Sequence, residues 1–95
     1  MSRKEVIHDE DDSRFYMELD GEEAELTYSI TEKTEFDLDY TFVPEGHRNQ
    51  GIADQLVKAA LDHVREQKLR FVASCPVVEA YVKRHPEYQE FMSEE

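Results

Sequence analysis

From Arg14 the chain alternates apolar and polar residues with a period of two. Phe15, Met17 and Leu19 stand between Arg14, Tyr16 and Glu18, Asp20-Gly21 gives a hairpin turn signal, and Ala24, Leu26, Tyr28 and Ile30 then alternate with polar partners. After the polar connection Thr31-Glu32-Lys33-Thr34, the residues Phe36, Leu38, Tyr40 and Phe42 alternate with Glu35, Asp37, Asp39 and Thr41. Successive side chains on a strand point to opposite faces, so these segments predict a three-stranded antiparallel meander with one apolar and one acidic face. Tyr40 and Phe42 fall in its apolar phase.

At Ile52 the period changes to about 3.6. Ile52, Ala53, Leu56, Val57, Ala60, Leu61 and Val64 form one stripe, while Asp54, Lys58, Asp62, Arg65 and Glu66 face away, as in a helix that covers a sheet. His63 lies off the stripe and is expected at the surface. Residues 69–74 read as a fourth strand. So long a crossover between strands three and four implies that they are parallel and joined in the right-handed sense. Pro76 suits the first position of a second helix, with Ser74 or Cys75 as its N-cap. Val77, Val78, Ala80, Tyr81 and Val82 give that helix its apolar residues, and Pro86 ends it near His85. The class is α+β: a three-stranded meander, then a β-α-β unit, then a C-terminal helix.

Ninety-five residues make one small domain with one modest core, taken here as 1–95. There is no apolar run of membrane-spanning length, and Met1-Ser2-Arg3-Lys4-Glu5 lacks the apolar stretch of a signal peptide. A single cysteine, Cys75, fits a reducing compartment, so a soluble cytoplasmic protein is expected. The net charge of -12 argues against nucleic acid, whose phosphates would be repelled over any broad surface. An acidic outer sheet face predicts a monomer. Residues 1–13, with the run His8-Asp9-Glu10-Asp11-Asp12, read as a frayed lead-in, and 93–95 as a tail. His8 among those carboxylates reads as solvated charge, since no ordered frame fixes a ligand geometry, and no metal site is expected.

Residues 43–53 carry the chemistry. This segment runs from the end of strand three to the start of the long helix and places Arg48, Gly51 and Ala53 at i, i+3 and i+5. Unpaired amides at a helix start, together with the helix dipole, suit a phosphate, and small residues let it approach the main chain. Ligands of such β-α-β units collect beyond the carboxyl ends of the parallel strands. Strand three ends at Val43 and strand four near Ser74, so Cys75 should emerge on the same edge. A thiol at a helix start has its thiolate favoured, which makes Cys75 a candidate for chemistry as well as for simple packing.

Residues 43–53 resemble the acetyl-coenzyme A signature of the GNAT superfamily of N-acetyltransferases, Arg/Gln-x-x-Gly-x-Gly/Ala, with Arg48, Gly51 and Ala53 in its fixed places. The preceding strand, the following helix, the next strand and the helix with Ala80-Tyr81 come in GNAT order. From Phe15 to Tyr88, including Val43-Pro44, Cys75 and Tyr81-Val82-Lys83-Arg84-His85-Pro86-Glu87-Tyr88, the chain is similar to the small single-domain GNAT-like family. The resemblance implies a minimal GNAT fold in which strands three and four splay apart to admit acetyl-coenzyme A. It implies pyrophosphate on the amides of Asn49, Gln50, Gly51, Ile52 and Ala53 with Arg48 near it, and the pantetheine arm along strand three at Phe42 and Val43. Lys83 or Arg84 would meet the 3′-phosphate. It further implies acetyl transfer to an amine of unknown identity, with Tyr81 as the acid and Cys75 near the thioester as proton relay or acyl acceptor. The position of Tyr40 is frequently histidine in the family, and here it is not, so no general base is evident. Two other readings stand beside the enzyme: a coenzyme A-binding module with little turnover, and an interaction protein that kept the fold and lost the ligand.

Overall fold

The computed structural model describes residues 5–48 and 50–93. Strands β1 (Ile7–Asp9), β2 (Arg14–Leu19), β3 (Glu22–Ile30) and β4 (Phe36–Phe42) precede helix α1 (Ile52–Glu66); β5 (Phe71–Ala73) and helix α2 (Pro76–Arg84) follow it. Short 3₁₀ turns cover Glu45–His47 and Pro86–Phe91. The sheet runs β1-β2-β3-β4-β5, antiparallel except for the parallel pair β4 and β5. The meander, the crossover and the second helix thus follow the periodicity, and Cys75 is the N-cap of α2, with Pro76 in its first turn.

Local chemistry explains the joints. The β2–β3 hairpin closes through Asp20 (φ 52°) and Gly21 (φ 91°), two consecutive left-handed residues whose twist matches that of the flanking strands. Helix α1 ends in a left-handed turn at Lys68 (φ 58°). There the Leu69 amide donates to the Val64 carbonyl and the Lys68 amide to the Arg65 carbonyl, both at 3.0 Å. Inward residues of the sheet, among them Met17, Leu19, Leu26 and Leu38, meet Leu56, Val57, Leu61 and Val64 of α1 and Val78 and Val82 of α2 in one core. Truncating a fully buried leucine such as Leu61 to alanine should cost about 2–5 kcal/mol, from lost burial and the cavity left behind.

Four expectations are corrected. Residues 7–9 form an edge strand paired with β2, His8 opposite Phe15, because His8 and Val6 find inward partners that an acidic composition alone conceals. Ser93 belongs to the fold: its amide donates to the Phe71 carbonyl at 2.7 Å and its hydroxyl to Glu35. Ala80 is exposed, not on the buried face of α2. His63 is half-buried, packed edge-on to the His8 ring at 4.5 Å. Among the described residues no helix is long and apolar enough to cross a membrane.

Candidate active site

A β-bulge creates the site. Leu38 pairs with Tyr28 and Tyr40 with the adjacent Thr27, which leaves Asp39 without a partner across the strand. Thr27 Oγ1 donates to Asp39 Oδ1 at 2.6 Å, holding the extra residue in place. One inserted residue reverses the phase of everything after it. Thr41, opposite buried Leu26, turns inward, and Tyr40 and Phe42 turn outward, 53% and 39% exposed. The expected apolar phase therefore stops at Leu38.

The partner strand stops there too. β5 pairs with Phe36, Asp37 and Leu38 only, and the last link is the Cys75 amide donating to the Leu38 carbonyl at 3.0 Å. Among the described residues, 39–42 have a strand neighbour on the β3 side alone. A cleft of about 460 Å³ opens where β4 leaves β5. Tyr40, Thr41, Phe42 and Val43 form its strand wall, and Val77 of α2 contributes on the other side. His47, Arg48, Gly51, Ile52, Ala53 and Asp54 close it at the start of α1.

At that helix start Gly51 is the N-cap with φ 76°, a left-handed conformation that an L-residue adopts only at a cost. The first helical bond is from the Gln55 amide to the Gly51 carbonyl, so the amides of Ile52, Ala53 and Asp54 precede any intrahelical acceptor. A Cβ at Gly51 would meet nothing within 4 Å, so the space above the turn is open. Arg48 Nε donates to the Val43 carbonyl at 3.0 Å, tying the loop to the end of β4 and fixing the guanidinium in the cleft wall. Asp54 would oppose an anion here. Arg84 offsets it: Nη1 and Nη2 donate to the two Asp54 carboxylate oxygens at 3.1 and 3.0 Å. These bonds hold the Asp54 carboxyl below the usual carboxylate range.

Phe42, Val43, Arg48, Gly51, Ile52 and Ala53, all expected at the site, share this one cleft. Gln50 is exposed in the same loop, and Asn49 lies outside the described residues. Cys75 is buried directly behind the strand wall, 4% exposed, with Sγ 3.4 Å from Thr41 Oγ1. Its sulfur makes no capping hydrogen bond to α2. Tyr81 is buried in the seam between α1 and α2, its ring stacked on His85 at 4.3 Å, and is not part of the cleft wall. Burial raises its pKa, so the phenol keeps its proton at neutral pH. Lys83 is exposed on α2, and Arg84 is engaged with Asp54 as described. Periodicity gave no sign of the inward Thr41 side chain or of Asp54 as a cleft residue, nor of His47, which lines the wall with Nε2 3.6 Å from Glu22.

Comparison with known proteins agrees with this arrangement. A family model described as GCN5-related N-acetyl-transferase matches residues 14–91. Protein NATD1 of Gallus gallus is 39% identical over 84 residues, covering 86% of this chain and 76% of its own. Protein NATD1 of Homo sapiens is 40% identical over 83 residues, covering 85% and 74%. The solution structure of a GCN5-like protein from Staphylococcus aureus superposes with a TM-score of 0.71 at 28% identity, covering 98% of this chain and 91% of that one. With a family model over most of its length and relatives of about 40% identity, the chain belongs to the GCN5-related N-acetyltransferase family.

Proposed function

We propose that the protein transfers an acetyl group from acetyl-coenzyme A to an amine. The observation that carries this reading is the union, in one cleft, of an open left-handed Gly51 turn and a one-sided strand edge, with Cys75 directly behind Thr41 of that edge. When bound, acetyl-coenzyme A supplies the activated thioester. The residues fit it: the amides of Ile52 and Ala53 have no acceptor within the helix and, with those of the preceding loop, would donate to the pyrophosphate, with Arg48 beside them. The backbone of β4 at Phe42 and Val43 would take the amide-bearing arm, as an added half-strand. Asp54 is kept paired by Arg84, so its charge does not oppose the phosphates, and this replaces direct 3′-phosphate contact as the role of Arg84.

For the chemistry, Cys75 lies behind the strand wall, its sulfur 3.4 Å from Thr41 Oγ1. Tyr81 retains its proton and would act only if the α1–α2 seam opened toward the cleft. The acceptor is an amine that must lose a proton before attack. We assign the protein to the cytoplasm as a monomer, on its acidic surface and its lone thiol. A second reading, a coenzyme A-binding module with little turnover, is favoured by Tyr40, a largely exposed phenol where the family often has an imidazole.

Titration with acetyl-coenzyme A followed by amide NMR tests the binding claim; shifts at Arg48, Gly51, Ile52 and Ala53 are expected, and unmoved resonances at millimolar cofactor would sink it. Free thiol released in the presence of an amine panel supports transfer. Binding without any release selects the second reading.

A further inference from the structure

His8 on β1, Glu10 in the turn after it and His63 on α1 converge at the far edge of the sheet from the cleft. One side-chain ligand atom from each lies within 4.8 Å of the other two. In sequence they are a tract of charge and a helix residue fifty-odd positions away; pairing of His8 opposite Phe15 brings them together. The frame is ordered on several sides. The His8 ring stacks on Phe15 with centroids 4.1 Å apart and interplanar angle 9°, and its Nε2 lies 2.6 Å from the Tyr28 hydroxyl. The His63 ring packs edge-on to His8 at 4.5 Å and touches Phe15 and Phe36 at 5.9 and 5.6 Å.

His8, with one ring nitrogen on the Tyr28 hydroxyl and its face on Phe15, has the oriented frame found behind metal-ligating histidines, and a second imidazole and a carboxylate lie beside it. We propose that His8, Glu10 and His63 hold one divalent ion of the zinc class, which ties β1 and its turn to α1. Neighbouring ligand atoms around a tetrahedral ion with bonds of about 2.0–2.1 Å are roughly 3.3 Å apart, so closure needs movements of about 1 Å, within the reach of exposed Glu10 and a rotating His63 ring. Two imidazoles and one carboxylate select zinc, cobalt or nickel over magnesium or calcium, which prefer oxygen. Asp9, Asp11 and Asp12, beside Glu10 in sequence, add negative potential that draws in a cation. The fourth position is left for water, as in zinc sites that have three protein ligands.

Calorimetric titration of the metal-free full chain with zinc chloride tests the site, with cobalt absorption as a reading of coordination geometry. One zinc per chain is expected, saturating well below about 100 μM, with tetrahedral cobalt bands and slowed hydrogen exchange at the β1 amides. His63→Gln and Glu10→Gln should each weaken zinc at least about 10-fold, while native amide spectra report that the fold is kept. Since Glu10 is exposed, its variant answers even if His63→Gln fails to fold. Unchanged zinc affinity in Glu10→Gln, no saturation, or equal binding of magnesium chloride would overturn the proposal.

Discussion

Thr41 Oγ1 and Cys75 Sγ, separated by 34 positions in sequence, are 3.4 Å apart across the point where β4 and β5 diverge. The bulge at Asp39 turns Thr41 inward, and the link from the Cys75 amide to the Leu38 carbonyl holds the thiol at that depth. If Cys75 serves the transfer, Cys75→Ala should lower kcat at least about 10-fold and leave KM for acetyl-coenzyme A nearly unchanged, the pattern of a group needed only in the transition state. Thr41→Val, which removes the hydroxyl and keeps the shape, should lower kcat by less. Steady-state kinetics of both variants checks this, and equal kcat in all three proteins removes Cys75 from the mechanism.

Gly51 gives a separate test. Because a Cβ there meets nothing, Gly51→Ala should cost only the left-handed backbone penalty, about 1–2 kcal/mol of folding stability by denaturant unfolding. Acetyl-coenzyme A affinity should fall more than stability explains, since the methyl group occupies the side from which a phosphate approaches.

The Asp54–Arg84 pair is exposed, so its direct worth to folding is small. Its effect on the cofactor should be larger. Arg84→Ala leaves an unpaired carboxylate at the start of α1 and should weaken cofactor binding several-fold, with the Asp54 pKa rising back toward 3.8 in a carboxyl NMR titration. Asp54→Asn in the same chain should restore binding; a guanidinium that instead contacts the cofactor would leave the double variant as weak as Arg84→Ala.

Tyr88 is buried and donates to Asp62 Oδ1 at 2.8 Å. Burial first, and then that bond, pushes its pKa up to about 12 from 10.0. A raised folded pKa means the native state holds the proton longer than the unfolded chain, so this contribution is fully present below pH 10 and is lost as pH rises through about 12. Tyr88→Phe should cost roughly 1 kcal/mol at neutral pH and flatten the alkaline fall in stability. Denaturant unfolding between pH 8 and 12 measures both.

The meander and α1 were legible because each has a long regular period: Phe15 to Leu19 alternate without a break, and Ile52 to Val64 keep one stripe. The Gly51 turn of the cleft was legible because Gly51 and Ala53 are small residues where a strand-like period gives way to a helical one. The wall facing it was not. A single extra residue at Asp39 has no compositional mark, and a period-two count carried through it assigns Tyr40, Thr41 and Phe42 to the wrong faces. β1 escaped for a different reason, since three residues are too few for a period, and its inward anchors, His8 and Val6, sit among carboxylates. Partnerships such as Asp54 with Arg84 depend on α1 and α2 packing together, which no local pattern encodes.

The brevity of β5 has a consequence for handling the protein. Beyond Leu38 the main chain of β4 offers its donors and acceptors to any extended peptide, including another copy of itself, with Tyr40 and Phe42 as adhesive side chains. Occupancy of that edge by a cofactor arm would mask it. Preparations kept saturated with ligand should therefore stay monodisperse at concentrations where the bare polypeptide clusters.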